Sequence, residues 1–210
     1  MAQSILVLGF SQFPGVPQNP AESLVRKLAD EKWAPDPAFS VDYQVLRTSF
    51  AAVERYVSVL GEQERYDLIL AFGSDARADG FLLERMARNK VSTEKVDEDG
   101  TTRSTPVVEK QGSDSLLTNV EVAGLADALN AQGYRCRVSE DAGDYVCNFL
   151  YYKLLFSRTN SAKVLFVHIP LEPKEHSAEI RLASGGETSS STGTPMGGTR
   201  VIVSQILEQL

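Results

Sequence analysis

The chain has 210 residues, 42% apolar and 23% charged, a balance that excludes a disordered polyampholyte and supplies the core of one domain rather than two. Its 28 acidic residues outnumber the 21 basic ones, for a net charge of −7, so no nucleic-acid or anionic-membrane surface is expected. No apolar run reaches the ~18 residues of a membrane helix, no signal-peptide layout opens the chain, and two cysteines are too few for a disulfide framework; the expectation is a soluble, cytoplasmic globule.

In chain order, Ser4-Ile5-Leu6-Val7-Leu8-Gly9-Phe10 reads as a strand buried on both faces. Asn19-Pro20-Ala21-Glu22 starts a helix with an asparagine cap, proline at the first helical position and an early acid; Leu24, Leu28 and Trp33 supply its apolar side. Val41 to Leu46 alternates as a second strand, and Ala51 to Leu60 carries apolar residues at helical spacing. Asp67-Leu68-Ile69-Leu70-Ala71-Phe72-Gly73 repeats the opening pattern of an apolar strand closed by glycine. Strand, helix, strand, helix, strand predicts a doubly wound, mostly parallel α/β sheet with helices on both faces, spanning residues 1–210 as a single domain.

The rhythm resumes with a helix over Val120 to Leu129 and a strictly alternating strand in which Tyr134, Cys136 and Val138 share a face. An aromatic-rich helix over Asp144 to Phe156, an apolar strand over Val164 to Ile169 and a closing helix over Val201 to Leu210 complete it. Two polar excursions interrupt. Residues 90–116 are acidic and threonine-rich, with room for short extended pieces over a sheet edge. Residues 183–199 hold eight serines and threonines and five glycines, a composition that reads as a plain loop or a flap near a site.

Several chemistries find no support. Gly9 and Gly15 are too far apart for a dinucleotide fingerprint; no P-loop and no Gly-x-Ser-x-Gly elbow occurs. His168 and His176 are the only histidines, neither cysteine belongs to a Cys-x-x-Cys pair, and His176 sits in a polar surface setting, so neither a metal nor a cofactor is expected. Cys136 faces inward on its strand and reads as an inert buried thiol. Cys147 follows Asp141-Ala142-Gly143-Asp144-Tyr145-Val146, a loop running into a helix. If Asp144 caps that helix, Cys147 falls in its first turn, where unpaired N–H groups favour a thiolate and can hold an oxyanion; a cysteine there also packs without chemistry. His168 ends the last apolar strand, either as a core histidine or at the carboxyl edge where α/β sites form. Glu84 by itself reads as a solvated helix acid. Cysteine, histidine and acid each follow or end a strand taken as parallel, so all three can meet at one sheet edge.

These motifs carry a resemblance. Gly9-Phe10-x-x-Phe13-x-Gly15-x-x-x-Asn19-Pro20, Leu83-Glu84-Arg85-Met86-Ala87-Arg88-Asn89, Ser139-x-x-Ala142-Gly143-x-Tyr145-Val146-Cys147-Asn148 and Val167-His168-Ile169-Pro170 together resemble the signatures of the type I pyroglutamyl peptidases, or pyrrolidone-carboxylate peptidases, a cysteine peptidase family. The resemblance spans nearly the whole chain. It implies removal of an N-terminal pyroglutamate from peptides, with Cys147 as nucleophile, His168 as the base that takes its proton and Glu84 orienting the imidazole. It implies Phe10 and Phe13 as walls of the substrate pocket, with Asn19 in the same region, and a tendency to form homo-oligomers. The alternatives are a thiol amidase with a changed acyl pocket, and a silent relative that binds a peptide or lactam. Gly73-Ser74-Asp75-Ala76-Arg77 stands where the family has a Gly-Gly-Arg stretch at a different spacing.

Overall fold

The five opening elements form as their patterns predict: β1 (Ser4–Phe10), α1 (Pro20–Asp30), β2 (Ser40–Leu46), α2 (Phe50–Gln63) and β3 (Leu68–Asp75). They belong to a computed structural model that describes residues 3–63, 66–157, 162–171 and 195–209. Asn19 caps α1, its side-chain oxygen accepting from the Ala21 N–H at 3.1 Å, with Pro20 in the first turn. Then come β4 (Phe81–Glu84), β5 (Met86–Arg88), β6 (Ser115–Leu117), α3 (Val122–Ala131), β7 (Cys136–Ser139), α4 (Val146–Ser157), β8 (Lys163–Pro170) and α5 (Pro195–Leu207).

Six strands make one sheet in the order β2-β1-β3-β8-β4-β7. β2, β1, β3 and β8 run parallel; β4 is antiparallel to β8 and parallel to β7. The sheet is therefore mostly parallel, and its direction changes between β8 and β4. Successive side chains alternate between two apolar layers. Leu6, Leu8, Ile69, Ala71, Val164 and Phe166 pack under α2 and α4, whereas Ile5, Val7, Leu68, Leu70, Leu165 and Val167 pack under α1, α3 and α5.

Four expectations are corrected. Glu84 is not a helix acid: it ends a strand, with Phe166 opposite it on β8 and Ser139 on β7. Pairing on both sides overrides the helical look of Leu83-Glu84-Arg85-Met86-Ala87. The strands leading to Glu84 and Cys147 also run against the parallel set, so the three candidate residues do not all follow parallel strands. Asp144 does not cap α4, which begins at Val146; Gly143, at φ 85°, turns the chain first, and the Asp144 carboxylate pairs with Lys95. Within the expected loop 183–199, Pro195 to Thr199 open α5; the rest of that loop lies outside the described residues, as do His176 and Leu210. In the other excursion, β6 pairs antiparallel with β5, and Asn148 at the start of α4 ties β5 down through bonds to the Arg88 N–H and to the Arg88 and Lys90 carbonyls.

Candidate active site

Three sheet positions on the α4 side set the site. Parallel pairing puts Gly73 of β3 opposite His168 of β8, and antiparallel pairing puts Glu84 of β4 opposite Phe166, two residues deeper. Glu84 is thus 0% exposed and lies inward of His168, which is 3% exposed. Its Oε1 stands 2.7 Å from His168 Nδ1. Tyr151, one helical turn beyond Cys147 on α4, donates to the Glu84 carbonyl at 2.7 Å and packs its ring 5.7 Å from that of Phe166, which in turn lies 4.9 Å from the imidazole. The carboxylate, the ring and the helix are therefore braced by one buried aromatic stack.

Cys147 is the second residue of α4 and half-buried. With Nδ1 committed to Glu84, the nitrogen the ring offers to the Cys147 sulfur is Nε2. The approach depends on Gly73: a Cβ there would lie 2.9 Å from Cys147 Sγ and 3.0 Å from the Phe166 ring. Burial alone would lower the imidazole's pKa, but the hydrogen bonds to Cys147 and Glu84, together with their charges, push it up to about 10. Among the described residues the N–H groups of Val146, Cys147 and Asn148 have no acceptor, leaving the first turn of α4 open to an anion. Cys136 sits apart on β7, its thiol pushed up to about 12 by burial.

The thiol and imidazole open into a cavity of about 450 Å³. Phe10, Phe13 and Asn19 line it, as do Thr48 and Tyr145, which sequence reasoning did not single out. Phe13 is presented by a tight Phe13–Val16 turn in which Gly15 takes φ 84°. Asn19 is committed to holding this wall: its amide donates to the Ser11 carbonyl, and its oxygen accepts from Ser74 as well as from Ala21. Asp75 and Arg77, linked by bonds of 2.6 to 3.1 Å, also line the cavity. Burial would raise the Asp75 carboxyl; the side-chain and backbone bonds from Arg77, and the charge on His168, outweigh it and hold the carboxyl below the usual range. Among the described residues no group of three or more His, Cys, Asp or Glu side chains is arranged to hold a metal ion, and no helix is long and apolar enough to cross a membrane.

The family model for pyroglutamyl peptidase matches residues 3–209. A pyrrolidone-carboxylate peptidase of Lactobacillus acidophilus is 30% identical over 179 residues, 81% of this chain and 85% of its own. One from Vibrio parahaemolyticus is 28% identical over 209 residues, 98% of this chain and 93% of its own. Among solved structures, the pyrrolidone carboxyl peptidase of Fervidobacterium islandicum superposes with a TM-score of 0.78 at 25% identity, covering 99% of this chain and 97% of that one. A mutant pyrrolidone carboxyl peptidase of Pyrococcus furiosus shares the fold, with a TM-score of 0.81 at 21% identity over 99% of this chain and all of the other. With this geometry and these likenesses together, the chain belongs to the pyroglutamyl peptidase family.

Proposed function

We propose that this chain is a cysteine exopeptidase that hydrolyses the amide bond after an N-terminal pyroglutamyl residue, with Cys147, His168 and Glu84 as its working groups. The Cys147 sulfur gives its proton to His168 Nε2 and attacks the pyroglutamyl carbonyl carbon. The carbonyl electrons move onto oxygen, and the oxyanion is met by the open N–H groups at the start of α4. As the tetrahedral intermediate collapses, the C–N bond breaks and the imidazolium returns its proton to the departing amine. Water then attacks the thioester, giving its proton to the neutral imidazole, and free pyroglutamate leaves as the thiol is restored. Glu84 holds Nδ1–H throughout and so fixes the tautomer that each step needs.

The cavity suits a neutral lactam. Phe10 and Phe13 offer flat apolar walls, and Asn19 positions the loop that carries Phe13. An ordinary N-terminus would bring an ammonium against those walls without a partner, which costs affinity. The strongest support is the 2.7 Å contact between Glu84 and His168, in a cavity that the His168 ring and the Cys147 thiol line together. The test is release of aminomethylcoumarin from its pyroglutamyl amide. Cleavage that Cys147→Ser abolishes supports the assignment; turnover retained in Cys147→Ser removes Cys147 as nucleophile, and no turnover by the unaltered chain removes the reading.

A further inference from the structure

The Asp75–Arg77 pair takes no part in the steps above, yet it lines the same cavity as Cys147 and His168. It lies in the stretch Gly73-Ser74-Asp75-Ala76-Arg77, which ends β3 and leads toward β4. Strand order says which part of a substrate it meets. Phe10 and Phe13 come from the end of β1 and the loop after it, on one side of the thiol over β3; His168 stands on β8, on the other side. The acyl ring lies toward the phenylalanines, and the departing nitrogen must face the imidazole that protonates it. The residue behind that nitrogen therefore extends over β8, toward the flank where Arg77 Nη2 stands 3.5 Å from the Asp141 carbonyl.

The pair is asymmetric. The Asp75 side chain is 14% exposed and the Arg77 side chain 60%, so the carboxylate is shielded and the guanidinium is what the open cavity meets. Nε and Nη2 of Arg77 are committed to Asp75, while Nη1 has no acceptor among the described residues. Asp75 and the Asp141 carbonyl hold the guanidinium in place and leave Nη1 as the donor that a carboxylate can meet. Resting on the function proposed above, we infer that Arg77 is a specificity-determining residue that reads a carboxylate on the residue released after pyroglutamate. Two sources present that group close to the scissile nitrogen: the free α-carboxylate of a pyroglutamyl dipeptide, and an acidic side chain at that position in a longer peptide.

Three substrates separate the possibilities: pyroglutamyl-alanine as the free acid, pyroglutamyl-alanine amide, and pyroglutamyl-glutamate with its α-carboxyl amidated. Values of kcat/KM are measured for the unaltered chain, Arg77→Gln and Arg77→Lys. The expected result is a preference of about fivefold for a carboxylate-bearing substrate over the neutral amide, the scale of one partly exposed ion pair. It should fall toward unity in Arg77→Gln, return in part in Arg77→Lys and shrink with added salt. Preference for the free acid alone assigns the α-carboxylate, and preference for the glutamate substrate alone assigns the side chain. Each ratio comes from one preparation, so a misfolded fraction of a variant cancels. Cleavage of all three substrates with the same ratios in the unaltered chain and Arg77→Gln overturns the inference and leaves the peptidase reading standing. Cleavage of none removes both.

Discussion

Gly73→Ala is the smallest change that tests how the site is assembled. Its new Cβ would stand 2.9 Å from Cys147 Sγ and 3.0 Å from Cε1 and Cζ of Phe166. Ordinary carbon contacts settle at roughly 3.5–4.0 Å, so one neighbour must retreat by about 0.6 Å or more. Phe166 is walled in, fully buried between Tyr151 and the imidazole. Cys147 is half-buried beside an open cavity and can turn about χ1, so the sulfur gives way and leaves its line to His168. A misplacement approaching 1 Å costs on the order of 10²-fold in turnover. Residual overpacking costs about 1–3 kcal/mol, which at this chain length lowers Tm by roughly 2–12 °C. The assay is kcat on the coumarin amide, normalised to titrated thiol so that unfolded protein does not count, with Tm recorded in parallel. A variant with kcat within about twofold of the unaltered chain would refute the claim that a missing side chain at position 73 brings thiol and imidazole together.

Iodoacetamide should modify Cys147 before Cys136, because burial pushes the Cys136 thiol up to about 12 and keeps it protonated; peptide mapping that finds Cys136 labelled first contradicts this. His168 is held above its ordinary 6.5, so the folded state binds its proton more tightly than the unfolded state; that stabilisation is full below about pH 6.5 and lost as pH rises through about 10. Urea midpoints of the unaltered chain should fall across that window more steeply than those of His168→Asn, and parallel profiles would speak against the charged ring. Asn19→Ala removes both the α1 cap and the hook to Ser11 and Ser74; it should cost about 1 kcal/mol by urea melting and raise KM as the Phe13 wall loosens, and an unchanged KM would free that wall from Asn19. Asp144→Thr should change stability by no more than about 1 kcal/mol, since Asp144 forms a partly exposed pair with Lys95 and caps nothing; a larger loss on thermal melting would restore it as a cap.

The parts of this molecule that could be read before folding are those governed by neighbours in sequence. The run Ser4 to Phe10, the Asn19-Pro20 helix start, and the positions of Cys147 near a helix start and His168 near a strand end all follow from local pattern and short-range chemistry. Glu84 was legible as a participant only through family resemblance. Its strand is imposed by β7 and β8, which lie 52 or more residues farther along the chain (136 − 84 = 52), and no local pattern reports such pairing or its direction. Asp144 misleads because an aspartate before a helix is a good cap in general, while the left-handed turn at Gly143 and a lysine 49 residues away decide its partner here. Gly73 reads as the end of a strand; that a sulfur needs the space it leaves is a fact of packing alone.

The reversal of direction between β8 and β4 bears on which insertions this chain can tolerate. Phe81 and Leu83 face one apolar layer, and Leu82 and Glu84 face the other. Adding or removing a single residue in the turn 76–80 and sliding β4 by one place would send Glu84 to the layer under α3 and α5 and bring Leu83 (on insertion) or Arg85 (on deletion) beneath the imidazole. Gly80 resists such a slide, since a Cβ there would stand 2.2 Å from the Arg135 carbonyl. Surface turns are where homologous chains usually gain and lose residues. Here the length of a short turn is set by a carboxylate lying below it, and lineages that keep the reaction are expected to change this turn by substitution, or by two residues at a time.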